Sequence, residues 1–148
     1  SGRLRGLSFG DGLVKAMRRE YPRASFLEGR TPVAVGEGLE AYFSGDLTAF
    51  ARIPWTLDHA ASSDGFQARI WRALADVPSG VTTTYGEMAK RAGEPGAAQA
   101  AGVASNRNPI PLVLPCHRVI GADGAMVGFG GGLERKTWLL RHEGALLI

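Results

Sequence analysis

The chain has 148 residues, 45% hydrophobic and 21% charged, which is room for one medium domain or two small ones at the balance expected of a soluble globular protein. No apolar run reaches the roughly 18 residues that cross a bilayer, and the opening Ser1-Gly2-Arg3-Leu4-Arg5 lacks the apolar stretch of a signal peptide. No membrane association and a cytoplasmic location are therefore expected. Ser1-Gly2 reads either as a scar or as the cut end of a longer chain. The formal net charge of +3 and pI near 9.4 are compatible with a polyanionic partner without demanding one; such binding would be salt-sensitive, because phosphate contacts release counterions.

In chain order, residues 3–9 are a weak strand candidate closed by Gly10-Asp11-Gly12. Residues 13–20 carry Leu13, Ala16 and Met17 at helical spacing and stop at Tyr21-Pro22. Residues 25–27 read as a second short strand. Thr31-Pro32 looks like an N-cap with proline at the first helical position; Leu39, Tyr42 and Phe43 then form an apolar stripe that Gly45 ends. Residues 52–57 alternate, with Ile53, Trp55 and Leu57 on one side, as in a half-buried strand. The small polar stretch 59–65 is the candidate linker. After it, Phe66, Ile70, Trp71 and Leu74 predict a helix ended by Val77-Pro78-Ser79-Gly80. Thr84 and Glu87 fit a capping box for a helix to about Arg91, and Pro95 leads into a small-residue helix over 96–105. Two short helices around Gly93-Glu94-Pro95 suggest helix-turn-helix. Residues 110–114, bounded by prolines 109, 111 and 115, predict a rigid extended segment leading to Cys116-His117-Arg118. The glycine-rich 128–132 follows, then a last helix over 133–143. Trp55, Trp71 and Trp138 are expected in the core, His59 and His142 in structural or surface positions, and Arg69, Arg72, Arg91 and Arg107 as ordinary solvated charges.

Cys116 is the single cysteine. It can form no internal disulfide, and a thiolate zinc site lacks ligands, so no metal is expected. By its residues alone it is either a buried small hydrophobe or a nucleophile. Thiolate character needs a nearby base or positive field. His117 and Arg118 adjoin it, though neighbouring side chains on an extended chain point apart, leaving a bridging water or a bend as the connection. Glu143 is the candidate to orient the imidazole. The glycines at 128 and 130–132 fit either close approach of backbone to a ligand or a flexible turn. The alanine- and glycine-rich 97–104 fits either a helix that enters a narrow groove or one that packs closely on its neighbours.

Pro115-Cys116-His117-Arg118-Val119-Ile120 resembles the acceptor-cysteine signature of the O6-alkylguanine-DNA alkyltransferase (methylated-DNA–protein-cysteine methyltransferase) family. Thr84-Tyr85-Gly86-Glu87-Met88-Ala89, Asn106-Arg107-Asn108-Pro109-Ile110-Pro111, Gly131-Gly132-Leu133-Glu134-Arg135-Lys136 and Trp138-Leu139-Leu140-Arg141-His142-Glu143-Gly144 follow the family's order at nearly its spacing. The likeness is strong over 66–147 and weaker through 7–11, 39–46 and 53–57. It implies an α+β fold: a small N-terminal α/β domain (1–61) with an antiparallel, ribonuclease H-like sheet, then a mostly helical domain (62–148) with a winged helix-turn-helix. It implies direct-reversal DNA repair, one alkyl group moving from O6 of guanine (also O4 of thymine) in double-stranded DNA to Cys116, without turnover and without a cofactor. His117 would be the base through water, Glu143 its orienter, Asn108 the brace of the turn, and Tyr85 the donor to the flipped guanine. The carbonyls of Cys116 and Val119 and the amide of Gly130 would hold the base, and Pro111, Met126 and Phe129 would line the alkyl pocket. Ala97, Ala98, Gln99, Ala100 and Gly102 would lie in the minor groove. The partner would be DNA carrying O6-alkylguanine, bound by a monomer or by clusters along the strand, and the location cytoplasmic and nucleoid-associated.

Two departures stand out. Gln99 occupies the place where the family has an arginine that fills the space of the flipped base, which puts duplex affinity rather than chemistry in question. Relatives also have a strand ahead of the one ending near residue 9; its absence from this sequence implies either an exposed sheet edge or a truncated start. The competing readings are a non-catalytic binder of alkylated DNA, against which the presence of Cys116 speaks, and a cysteine hydrolase or redox thiol, for which no oxyanion site or resolving thiol is evident.

Overall fold

The computed structural model describes residues 2–126 and 128–145. The ends of the expected second domain and of the family likeness, residues 146–148, lie outside the described residues. The chain opens with helices α1 (Leu13–Glu20) and α2 (Val33–Phe43), then a 3₁₀ turn, Ala49–Arg52. Helix α3 (Phe66–Leu74), strand β1 (Thr83–Thr84) and helices α4 (Tyr85–Arg91) and α5 (Ala98–Asn106) follow. A second 3₁₀ turn, Cys116–Arg118, runs into strand β2 (Val119–Ile120), and α6 (Leu133–His142) ends the described part. The fold is mixed and rich in helix, with a small sheet.

Local sequence explains most of these boundaries. α1 stops at Tyr21 because proline at 22 disfavours helical backbone before it. α2 starts one residue later than the capping pattern predicts, with Pro32 rather than Thr31 as its N-cap and no side-chain cap bond. Thr84 caps α4 by accepting the Glu87 amide at 3.1 Å, while the Glu87 carboxylate pairs with Arg91 at 3.8 Å. α3 presents Ala68, Ile70, Trp71 and Leu74 to the interior, and the Trp71 indole donates to the Ala104 carbonyl at 2.8 Å. That bond ties α3 to α5, whose small residues divide between the two uses open to them. Ala101 and Ala104 are buried where helices approach closely, whereas Gln99 and Ala100 are exposed.

The strand expectations for the first third are overturned. Among the described residues the sheet has two strands, β1 and β2, and they pair parallel, Thr83 with Val119 and Thr84 with Ile120. The antiparallel ribonuclease H-like sheet is not formed among them. From residues 3–9 only Leu4 makes a bridge, to Trp55 and also parallel. Three residues on, the Leu7 amide turns away to the Pro109 carbonyl at 2.9 Å, so no continuous ladder of amides faces a neighbour. Residues 25–27 form no strand, and Leu27 is 93% exposed; a strand with no face to bury has nothing to hold it. In 52–57 the alternation buries Ile53 and Leu57 but leaves Trp55 half-buried.

Residues 110–114 also depart from expectation. They form a compact turn, not an extended segment: the Leu114 amide donates back to the Ile110 carbonyl at 2.9 Å, and Leu112 has φ +73°. Prolines fix φ near −65°, which suits turns as well as extended chain. Of the three tryptophans, Trp71 is core, but Trp138 is 51% exposed and stacks on His142 at 4.8 Å. Apolar residues from the whole length share one core, in which Tyr42, Phe50, Ile53 and Leu57 meet Trp71, Leu74, Leu114, Val119 and Leu139.

Candidate active site

Cys116 sits at the first position of the 3₁₀ turn, 6% exposed. The turn, and not an extended chain, is what aims its side chain: His117 and Arg118 splay to other sides and point inward. Asn108 staples the preceding loop from both ends, its Nδ2 donating to the Leu114 carbonyl at 2.6 Å and its Oδ1 accepting the Ile110 amide at 2.9 Å. The parallel pairing of β2 with β1 then fixes the turn against the start of α4, where Tyr85 stands.

In front of the thiol lies a cleft of about 470 Å³. Its walls include Asn108, Pro111, Cys116, Phe129 and Gly130 from the expected site. Three arginines, Arg19, Arg107 and Arg135, line it, and no carboxylate does among the described residues. Arg135 donates to the Gly131 carbonyl at 3.1 Å and lies over the Phe9 ring. Phe9 and Phe129 meet edge to face at 5.9 Å. Gly131 is required there for space: a Cβ would come within 2.6 Å of the Phe129 ring and 2.9 Å of the Phe9 ring. Gly128, at φ +51°, brings its carbonyl within 3.3 Å of the Tyr85 hydroxyl. Tyr85, Val119 and Met126 are not in the cleft wall; Val119 is fully buried and Met126 half-buried. Ala97, Ala98, Gln99, Ala100 and Gly102 stand apart on α5, whose last residues Ser105 and Asn106, with the following Arg107, reach the cleft.

Behind the thiol lies a buried polar network that sequence reasoning captured only in part. His117 Nε2 and Glu143 Oε2 are 2.9 Å apart. Arg118 grips the same carboxylate with two nitrogens, Nε to Oε1 and Nη2 to Oε2, each at 2.8 Å, and donates a third bond to the Val77 carbonyl at 2.6 Å. The Tyr42 hydroxyl adds a bond to Oε2 at 2.7 Å. Lys136, fully buried, donates from Nζ to the Val119 carbonyl at 2.6 Å and lies 5.8 Å from the centre of the Tyr85 ring. Arg118, Lys136 and Tyr42 join the network from the turn, α6 and α2. The available signal for Lys136 was its place on the apolar face of α6, between Leu133 and Leu140; Tyr42 looked like stripe alone.

The electrostatics follow from burial and these partners. Burial pushes the Cys116 thiol up, opposed by a hydrogen bond from Asn108 and by the field of Lys136. Burial lowers His117 below the ordinary imidazole value, although Glu143 pulls it the other way, so the ring is neutral at neutral pH. Burial alone would raise Glu143, but Arg118, His117 and Tyr42 together carry it down to about 2. An anionic Glu143 accepts, so His117 carries its proton on Nε2. His117 Nδ1, buried and without a protein partner among the described residues, is then the acceptor. Burial lowers Lys136 too, with Cys116 acting against it. Tyr85 is raised by burial and by the nearby thiol, so its hydroxyl keeps its proton. No group of three or more metal-ligating side chains occurs among the described residues.

The arrangement sets a buried cysteine between an open cleft and a His117–Glu143 pair. Comparison with known proteins identifies the family. The 6-O-methylguanine DNA methyltransferase, DNA binding domain, matches residues 65–145. A methylated-DNA–protein-cysteine methyltransferase of Shigella flexneri is 38% identical over 142 residues, 95% of this chain and 81% of that protein. The chain spans 61 to 66% of the length of several other curated relatives. The crystal structure of Mycobacterium tuberculosis OGT in complex with DNA is similar at TM-score 0.69 and 46% identity, over 76% of this chain and 66% of that one. The O6-methylguanine-DNA methyltransferase of Pyrococcus kodakaraensis is similar at TM-score 0.74 and 28% identity, over 97% of this chain and 88% of that one. The chain belongs to the methylated-DNA–protein-cysteine methyltransferase family.

Proposed function

We propose that this chain repairs double-stranded DNA by direct reversal, taking the alkyl group from O6 of guanine, and from O4 of thymine, onto Cys116 in a single irreversible event. The observation that carries the reading is a buried cysteine with a cleft on one side that is lined by arginines and, among the described residues, by no carboxylate, and on the other a hydrogen-bonded His117–Glu143 pair whose Nδ1 is left to accept. A base within a duplex is out of reach of a buried thiol, so the target nucleotide is extruded into the cleft. His117 Nδ1 takes the Cys116 proton through water, and Glu143 holds the imidazole in the tautomer that permits it. The thiolate attacks the alkyl carbon, the carbon–oxygen bond breaks, and its electron pair goes to the guanine. Tyr85 supplies a proton to the leaving base and takes one back from water in the cleft, while His117 releases the thiol proton to water, so one proton leaves the thiol and one arrives on guanine. The product thioether is a poor leaving group, so one event consumes one molecule.

Asn108 braces the turn, and the carbonyls of Cys116 and Val119 with the amide of Gly130 hold the base. Pro111 and Phe129 line the alkyl pocket from the cleft wall, and Met126, outside that wall, completes the lining around the bound alkyl group. The winged helix-turn-helix places α5 in the minor groove through Ala97, Ala98, Gln99, Ala100 and Gly102; the exposure of Ala100 supports this, because a small exposed side chain suits a groove about 6 Å wide, and the exposed Gln99 is free to reach the bases. The boundary between two domains falls at 61/62, close to the start of the family match at 65. The protein acts as a monomer that clusters on DNA, in the cytoplasm and at the nucleoid.

The test is intact mass after incubation with duplex DNA containing O6-methylguanine. A stable gain of about one methylene, absent in Cys116→Ser, is the expected result. A gel shift without the mass change would make the chain a binder only, and repeated turnover would make it a hydrolase.

A further inference from the structure

Glu143 Oε2 takes three side-chain donors. It receives His117 Nε2 at 2.9 Å, Arg118 Nη2 at 2.8 Å and the Tyr42 hydroxyl at 2.7 Å, whereas Oε1 receives Arg118 Nε. A carboxylate oxygen offers about two lone pairs, so three donors divide one centre of charge. Two of them come from the turn that carries Cys116. The third comes from α2, 101 residues earlier in the chain than Glu143.

The Tyr42 hydroxyl is held in place by everything around its ring. Tyr42 is fully buried, stacked on Phe50 at 4.2 Å and edge-on to Phe43 and His142. Its own carbonyl is 2.7 Å from His142 Nε2, which anchors α2 to α6. Packing alone would be served by phenylalanine. The hydroxyl adds one bond, and that bond ends on the oxygen that faces the imidazole.

We infer that Tyr42 is a positioning residue of the alkyl-transfer reaction: by donating to the Glu143 oxygen that orients His117, it limits how strongly the carboxylate draws a proton onto the imidazole, and it makes helix α2 part of the reactive apparatus. The inference rests on the alkyl-transfer reading above. A donor on Oε2 takes up carboxylate charge that would otherwise favour the imidazolium. An imidazolium has no lone pair at Nδ1 and accepts nothing from Cys116. The charged and titratable groups facing this centre come from the turn, α2 and α6, with His142 of α6 edge-on to the Tyr42 ring. Glu143 meets Arg118 from the turn and Tyr42 from α2. His117 feels Glu143, Arg118 and Lys136 from α6. Tyr42 itself stays protonated, because burial and then Glu143 raise it.

Tyr42→Phe keeps the ring and removes only the bond. In that variant the acid limb of the rate of methyl transfer from O6-methylguanine duplex moves to higher pH by about half a unit or more. The His117 Cε1–H resonance, followed by NMR titration of the free protein, moves in the same direction. In a Glu143→Gln background the substitution leaves the rate profile where it stands, since the shared charge is gone. If methyl transfer proceeds in Tyr42→Phe with both the rate profile and the His117 titration unmoved, Tyr42 only packs and the inference is overturned. Should the unaltered protein take up no methyl group, the alkyl-transfer reading fails instead, and a stationary His117 titration would still overturn the role of Tyr42.

Discussion

The two sides of Cys116 are built on opposite principles. The cleft side is open, lined by three arginines, and shaped by glycines that let backbone and aromatic rings come close. The inner side is closed, and its charges, Glu143, Arg118 and Lys136, are each matched by named partners. The difference teaches where each kind of change should register. Charge on the open side acts through water and salt, so it tunes binding in small steps. Charge on the closed side has no solvent to fall back on, so its loss disturbs stability and chemistry together.

The sharpest break should come from Glu143→Ala. It leaves the Arg118 guanidinium buried and unpaired, which costs on the order of 3–5 kcal/mol, and it frees the His117 tautomer. A large fall in melting temperature with loss of methyl uptake is expected; a melting temperature within a few degrees of the parent would mean the network carries little. Acid tests the same side. Glu143 titrates at about 2 against an ordinary 4.5, and His117 also titrates below its ordinary 6.5. Both folded values are depressed, so the stability they give is present above the ordinary values and is lost as pH falls through the folded ones. Melting temperature should therefore begin to decline below about pH 6.5 and drop further between about 4.5 and 2; a flat profile across that range would remove the linkage.

Next in size is Lys136→Met, which keeps volume and removes the cation that lowers the thiol. Methyl transfer at neutral pH should slow about tenfold, with recovery at higher pH; a uniform loss at all pH values would point to distortion instead. The open side gives the smallest effects. Arg107→Ala should weaken duplex binding a few-fold and reduce the slope of log K against log salt by about 0.9. Gln99→Arg should do the reverse on the exposed face of α5, and unchanged or weaker binding in a titration would refute a DNA-facing role for that position.

How much of this was legible in the sequence depended on range. α1 and α3 are plain in the spacing of Leu13, Ala16 and Met17 and of Phe66, Ile70 and Leu74, because each helix satisfies its own backbone. The cap at Thr84 is local in the same way. Residues 3–9 and 25–27 misled because a strand exists only if a partner faces it, and that partner is decided elsewhere: the Leu7 amide goes to Pro109, about a hundred residues away in the chain. At 110–114 three prolines suggested extension, but the Asn108 side chain closes the segment into a turn. His117 and Glu143 were visible because the imidazole and the carboxylate are chemically conspicuous beside a lone cysteine. Tyr42 was not, since a tyrosine in an apolar stripe looks the same whether its hydroxyl meets solvent or a buried carboxylate.

The ladder between β1 and β2 has only two rungs, Thr83 with Val119 and Thr84 with Ile120, yet it is the gauge that sets Tyr85 against Cys116. A ruler with two marks tolerates no miscount. One residue inserted between Arg118 and Val119 would slip the strand by about 3.3 Å and turn its side chains over, moving Val119 out of its buried place opposite Thr83 and carrying the phenol out of step with the sulfur. The spacing from Cys116 to Ile120 is therefore a length that the site cannot lose or gain by one residue without losing its alignment.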